Sequence, residues 1–140
     1  MKIEWVNHAS FVIRSGNACI ILDPWIEGSV FDESWSLLSP SLFKYSDFEE
    51  ITHIWFSHEH PDHFFPPNLM RIPPAIRSRI RVIFQTTMDR RVVSFCRKLG
   101  FAGVVELPEQ WYELGSQLKI WCEPAGRGDS WAAFRSPCRQ

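Results

Sequence analysis

No apolar run in the 140-residue chain approaches the roughly 20 residues that a membrane-crossing helix needs. No C-x-x-C pair occurs either. Cys19, Cys96, Cys122 and Cys138 stand far apart, so we read buried free thiols in a reducing compartment rather than a disulfide or a metal role. A charge excess of one sign is missing too: 15 Lys and Arg stand against 16 Asp and Glu, a net charge of −1. The balance gives no reason to expect nucleic acid or an anionic membrane as partner. Hydrophobic residues make up 45% and charged residues 22%, which excludes a disordered tail, a collagen-like fibre and a coiled coil. The opening residues, MKIEWVNHAS, lack a long apolar stretch, and the expectation is a soluble, cytoplasmic protein. Histidine is absent after residue 63: all five, His8, His53, His58, His60 and His63, precede residue 64.

The residues present read as a sheet-rich chain. Residues 2–6, 10–14 and 18–22 are β-rich runs separated by Asn7-His8 and by the turn Ser15-Gly16-Asn17. Residues 23–45 form a long aromatic and Pro-containing segment without a period. Trp25, Phe31, Trp35 and Phe43 suggest that it is packed down, as a lid or a pocket wall. Residues 51–56 predict a fourth strand, and prolines 66, 67, 73 and 74 break residues 64–79 into short pieces. A strand is expected over 79–84 and a helix over 86–99. That helix opens on Thr86 and Asp89 as a capping box and closes on Gly100. Short strands are expected at 104–107, 110–114, 117–122 and 130–134. Strands, then strand–helix–strand, then strands again indicate an α/β layer architecture.

Charge is uneven along the chain. Residues 1–62 hold ten acidic and three basic side chains, whereas residues 71–98 hold eight basic ones and only Asp89. The basic stretch reads as a solvated helix face, with an anion-binding surface as the alternative.

The chemistry concentrates in the turn after the fourth strand: His58-Glu59-His60-Pro61-Asp62-His63. Side chains at i and i+2 of extended backbone point the same way, so His58 and His60 can share one ion. Asp62 and His63, beyond the bend at Pro61, can face a second position. Imidazole nitrogen and carboxylate oxygen suit zinc, and also iron or manganese. The bland alternative is a His-rich polar surface turn. Three of five histidines within six residues weigh against it.

The His-x-His-x-Asp-His pattern after an apolar strand resembles the metallo-β-lactamase superfamily. His8-Ala9-Ser10-Phe11 and Ile21-Leu22-Asp23-Pro24-Trp25 resemble the opening strands of its branch without lactamase activity, which includes ascorbate-6-phosphate lactonase and a phospholipase D. Leu22 to Gly28, Trp35-Ser36-Leu37-Leu38 and Ser57-His58-Glu59-His60 resemble the corresponding domain of the CMP-N-acetylneuraminate hydroxylase group. No Rieske-type Cys/His pairs occur, so the iron–sulfur half of such hydroxylases is not expected.

The resemblance implies a four-layer αβ/βα fold, of which residues 1–140 would be a single incomplete N-terminal part with mixed sheets flanked by helices. It implies one or two metal ions, zinc first, and a metal-bound hydroxide that attacks an ester, lactone or phosphodiester of a small molecule. The basic stretch weakly favours an anionic one. Under the resemblance His58 and His60 hold one metal, and Asp62, as the catalytic carboxylate, and His63 hold the other. Asp23 steadies the metal loop, with a simple turn residue before Pro24 as the alternative. His8 either lines the site or caps a strand end.

Relatives carry further ligands later in the chain. The loop 123–131 is where a third His is expected, and this sequence offers Glu123, Arg127 and Asp129 instead. Arg127 cannot ligate a metal. The bridging Asp and a last His would fall beyond Gln140. Impaired hydrolysis is therefore expected. The alternatives are a non-catalytic metal- or ligand-binding remnant, or a fragment whose open sheet edge pairs with a partner, including a second copy.

Overall fold

The computed structural model describes residues 1–126 and 128–137. Two positions named above, Arg127 and the thiol of Cys138, lie outside the described residues.

A hairpin ladder starts the fold: β1 (Lys2–Asn7), β2 (Ser10–Ser15) and β3 (Ala18–Leu22) pair antiparallel in sequence order. The aromatic segment then crosses over, forming only a small hairpin, β4 (Ser29–Val30) and β5 (Trp35–Ser36), and a 3-10 turn over Tyr45–Glu50. β6 (His53–Trp55) returns parallel to β3, and all three of its residues are buried, as a strand covered on both faces requires. The helices α1 (Pro66–Arg71) and α2 (Pro74–Arg77) come next, each opening on proline. Then come β7 (Arg81–Gln85), α3 (Arg91–Leu99) and β8 (Gly103–Leu107), giving a six-stranded sheet of order β1-β2-β3-β6-β7-β8. A second sheet holds β9 (Tyr112–Gly115), β10 (Leu118–Ala125) and β11 (Asp129–Arg135).

Alternation along the central strands builds two cores. Ile21, Ile54, Phe56, Val82 and Phe84 pack under the helices with Leu69, Ile72, Val92 and Cys96. Ile13, Ile20, Trp55 and Ile83 face the second sheet's Leu114, Leu118, Ile120 and Cys122. The layers are helices, mixed six-stranded sheet and three-stranded sheet, an α/β arrangement. Among the described residues no helix is long and apolar enough to cross a membrane.

Three expectations are corrected. α3 starts at Arg91, not Thr86: Arg90 has φ 53°, which breaks the helical path, and the Asp89 carboxylate accepts from the Arg91 backbone at 3.2 Å and from Arg91 Nε at 2.7 Å. Gly100 does end the helix, in the left-handed conformation at φ 85°. The aromatic segment is only partly packed: Trp25 is buried and Phe43 joins the core, but Phe31 and Trp35 are exposed and meet each other edge to face, 5.2 Å between centroids. The basic stretch is not uniformly a solvated face. Arg77 is only 9% exposed, and its guanidinium donates to the carbonyls of Leu99 (3.1 Å), Leu69 (3.4 Å), Met70 (3.0 Å) and Ile72 (2.6 Å).

His53, at the start of β6, is buried beside Thr52, and burial, aided by the Arg81 charge, lowers its pKa to about 4. A group whose folded pKa lies below its unfolded value supports stability above the unfolded pKa and loses it as pH falls. The urea midpoint of the metal-free protein is therefore expected to drop between pH 6.5 and about 4. In His53→Gln that acid-side drop shrinks; an unchanged profile would refute the assignment.

Candidate metal centre

β6 ends in the middle of the sheet, so the turn beyond Phe56 emerges at the carboxyl ends of the parallel strands, where α/β proteins assemble sites. The turn is closed by the His60 carbonyl, which accepts from His63 N (2.9 Å) and Phe64 N (2.8 Å). Phe64 anchors it by packing edge-on against Phe56 and Phe95.

Asp23 sits directly behind this turn. Its backbone has φ 42°, a left-handed conformation that Asp tolerates better than most residues, and its carboxylate is buried. Oδ1 accepts from Ser57 N at 2.7 Å, while Oδ2 accepts from Ser57 Oγ at 2.7 Å and pairs with His63 Nδ1 at 2.9 Å. The Asp23 contact leaves His63 Nε2 facing Asp62 Oδ2, 3.4 Å away. Burial alone would pull the His63 pKa down, but the Asp23 hydrogen bond and the nearby carboxylates outweigh it, and the pKa rises.

His8 arrives from the opposite side. It occupies the two-residue connection between β1 and β2, with φ 37°, and stacks edge-on against Trp25 at 5.4 Å. Ser10 ties this hairpin end to the Asp23 turn: its Oγ donates to Asp23 O at 2.5 Å and accepts from Trp25 N at 3.2 Å. His8 Nε2 lies 3.0 Å from Asp62 Oδ2. One donor atom each from His8, Asp62 and His63 thus fall within 4.8 Å of one another.

His58 and His60 form a second grouping. His58 Nε2 is 2.9 Å from His60 Nδ1, and the His58 ring lies 4.1 Å from that of His63. Burial, then the neighbouring His63 and His60, lowers the His58 pKa. The loop expected before the strand at 130–134 is tighter than that: β10 runs on to Ala125 and β11 begins at Asp129, so Glu123 pairs with Trp131. The hairpin brings Asp129 Oδ1 to 3.9 Å from His58 Nδ1, beyond direct bonding. Glu59 points away and pairs with Arg91 at 2.5 Å.

Sequence reasoning missed the residues that brace the turn. The Ser57 carbonyl accepts from Ser130 Oγ at 2.6 Å and from Gln85 Nε2 at 3.4 Å, and Gln85 also donates to the Gly128 carbonyl. Asn68 holds the chain after Trp25, accepting from Ile26 N at 2.6 Å and Glu27 N at 3.2 Å. Nothing in the local sequence marks these contacts, each of which spans 28 residues or more. A cavity of about 470 Å³ opens beside His8, with Trp5, Asn7, Trp25 and Trp35 among its walls.

Residues 2–110 match the family model described as the beta-lactamase superfamily domain. A metal-dependent hydrolase of Pyrobaculum aerophilum is 30% identical over 64% of the chain, and one of a Chelativorans species is 36% identical over 45%. The chain spans about a third or less of the length of these curated relatives, 35% and 24%. Among solved structures, the diiron β-hydroxylase CmlA of Streptomyces venezuelae superposes with a TM-score of 0.72 at 25% identity, over 98% of this chain and 28% of CmlA.

Proposed function

The chain belongs to the beta-lactamase superfamily domain family, and on that premise we propose that the turn after β6 is a metal centre serving hydrolysis of an ester, lactone or phosphodiester. The observation that carries this reading is convergence: His8, Asp23, His58, His60, Asp62 and His63, from three separate turns, meet at one end of β6. Neutral imidazoles and carboxylate oxygens are a donor set for zinc, with iron or manganese as alternatives. The hydrolase names of the sequence relatives support it, and the diiron CmlA supports iron as the second choice of metal.

His58 and His60 would hold one ion, Asp62 and His63 another. When bound, a divalent ion supplies Lewis acidity and a water acidified toward neutral pH. The chain's own groups do the positioning. Asp23 fixes the His63 tautomer by engaging Nδ1, which presents Nε2 to the site. Asp62, as the catalytic carboxylate, sits with one oxygen between His8 and His63, 3.0 Å from His8 Nε2 and 3.4 Å from His63 Nε2. The substrate is a small molecule entering beside His8. Among the described residues no Lys or Arg side chain lines that cavity.

Turnover by this chain is expected to be weak, because His58 and His60 have no third imidazole near them besides His63, which Asp23 holds; binding without turnover is the second reading on the same ground. Three buried free thiols, Cys19, Cys96 and Cys122, support a reducing, cytoplasmic setting. The open edge of β1, with Ile3 and Trp5 exposed, is where a second copy would add a strand.

The test is metal analysis of protein purified without a His-tag, followed by lactone and phosphodiester assays. Near-stoichiometric zinc, iron or manganese is expected, and His58→Ala/His60→Ala should lose the share those two imidazoles hold. Metal at background level in the unmodified protein would sink the reading.

A further inference from the structure

We propose that His8 is itself a metal ligand, the third protein donor beside Asp62 and His63, supplied by the β1–β2 turn. The inference rests on the metal-centre reading above and adds a residue outside the His-x-His-x-Asp-His loop.

The distances suit coordination. Three protein donors and one open position make a catalytic zinc site, and bonds of about 2.0–2.1 Å to a tetrahedral ion place neighbouring donor atoms roughly 3.3–3.4 Å apart. His8 Nε2 and Asp62 Oδ2 are 3.0 Å apart, His63 Nε2 and Asp62 Oδ2 are 3.4 Å apart, and all three residues offer donors within 4.8 Å. His63 is turned into place by Asp23, so its outward nitrogen is committed to this side. His8 is held equally well: Trp25 packs edge-on against its ring, and Ser10 bolts its turn to Asp23. Exposure rises from Asp62 through His63 to His8, leaving the His8 side open for a water or substrate atom.

An ion pair between a protonated His8 and Asp62 would produce the same 3.0 Å contact without a metal. The two cases separate in Co(II) titrations followed by visible absorption. The informative background is His58→Ala/His60→Ala, in which His8, Asp62 and His63 remain. We expect this protein to bind one Co(II) with the intense visible bands of low coordination number. His8→Asn added to it should weaken binding at least about 100-fold, beyond the roughly 10–100-fold typical of a residue that only supports a ligand. Asn keeps a polar group near Asp62 and tolerates the left-handed backbone at position 8, so folding is preserved. Circular dichroism of the metal-free variant, unchanged from its parent, checks that. His8→Asp, which restores an oxygen donor, should recover binding to within about tenfold of the parent.

Binding by the His8→Asn protein within threefold of its parent overturns the assignment, as does failure of His8→Asp to recover it. If the unmodified protein binds Co(II) but the His58→Ala/His60→Ala background does not, the His8 site falls while the metal loop stands. If the unmodified protein binds no Co(II), both fall.

Discussion

Asp23→Ala is expected to destabilise the metal-free protein by about 3–5 kcal/mol, the range for breaking a buried, hydrogen-bonded charge by removing one partner. The substitution takes away the acceptor for Ser57 N, Ser57 Oγ and His63 Nδ1 together, at a position only 4% exposed. Ala also tolerates φ 42° less well than Asp. For a domain of this size the melting temperature should fall on the order of 10 °C. Asp23→Asn keeps an oxygen for Ser57 N and the backbone tolerance, so its cost should be nearer 1–2 kcal/mol. Thermal melts of the three proteins in chelator decide it. An alanine variant melting within 2 °C of the parent would mean that the Ser57 and His63 contacts carry no weight.

Arg77→Met is the second large effect, about 3–5 kcal/mol in all, since each buried carbonyl left without a donor costs about 1–3 kcal/mol. Arg77 donates to four carbonyls, three at the end of α1 and one at the end of α3, and no carboxylate faces it among the described ion pairs. Carbonyls at helix ends have no partner within their own helix. Methionine fills the volume but leaves those oxygens buried and unbonded. Lysine should rescue less than half the loss, since one ammonium cannot span the spread of a planar fork. Urea unfolding reads both. Equal midpoints for the Lys variant and the parent would show that charge alone suffices.

These two residues also mark how far the sequence could be read. The strands were legible because turn residues and alternation are local signals: residues 18–22 coincide with β3, and Gly100 stops α3 where expected. The start of α3 was not legible. Thr86 and Asp89 have the residue types of a cap, but Arg90 takes a left-handed conformation that only the surrounding fold dictates. The burial of Arg77 was hidden for a similar reason, since a run of basic residues reports composition and not which member reaches inward. At the candidate site, the motif singled out His58, His60, Asp62 and His63 by spacing alone. The approach of His8 to Asp62 joins residues 54 apart, and the support of Ser57 by Ser130 joins residues 73 apart. Contacts of that span leave no periodic trace.

The place of β6 in the sheet has a consequence for synthesis on the ribosome. Every proposed metal donor has been made once His63 is added, yet the strand that carries most of them lies between β3 and β7, and β7 ends at Gln85. At about 5–20 residues per second, roughly 1–4 seconds separate those two points. For that interval the imidazoles hang on a strand with one neighbour, and Gln85, which braces the Ser57 carbonyl, does not yet exist. A nascent chain would meet metal before it could shape the site, so loading in the cell should await the emergence of β7.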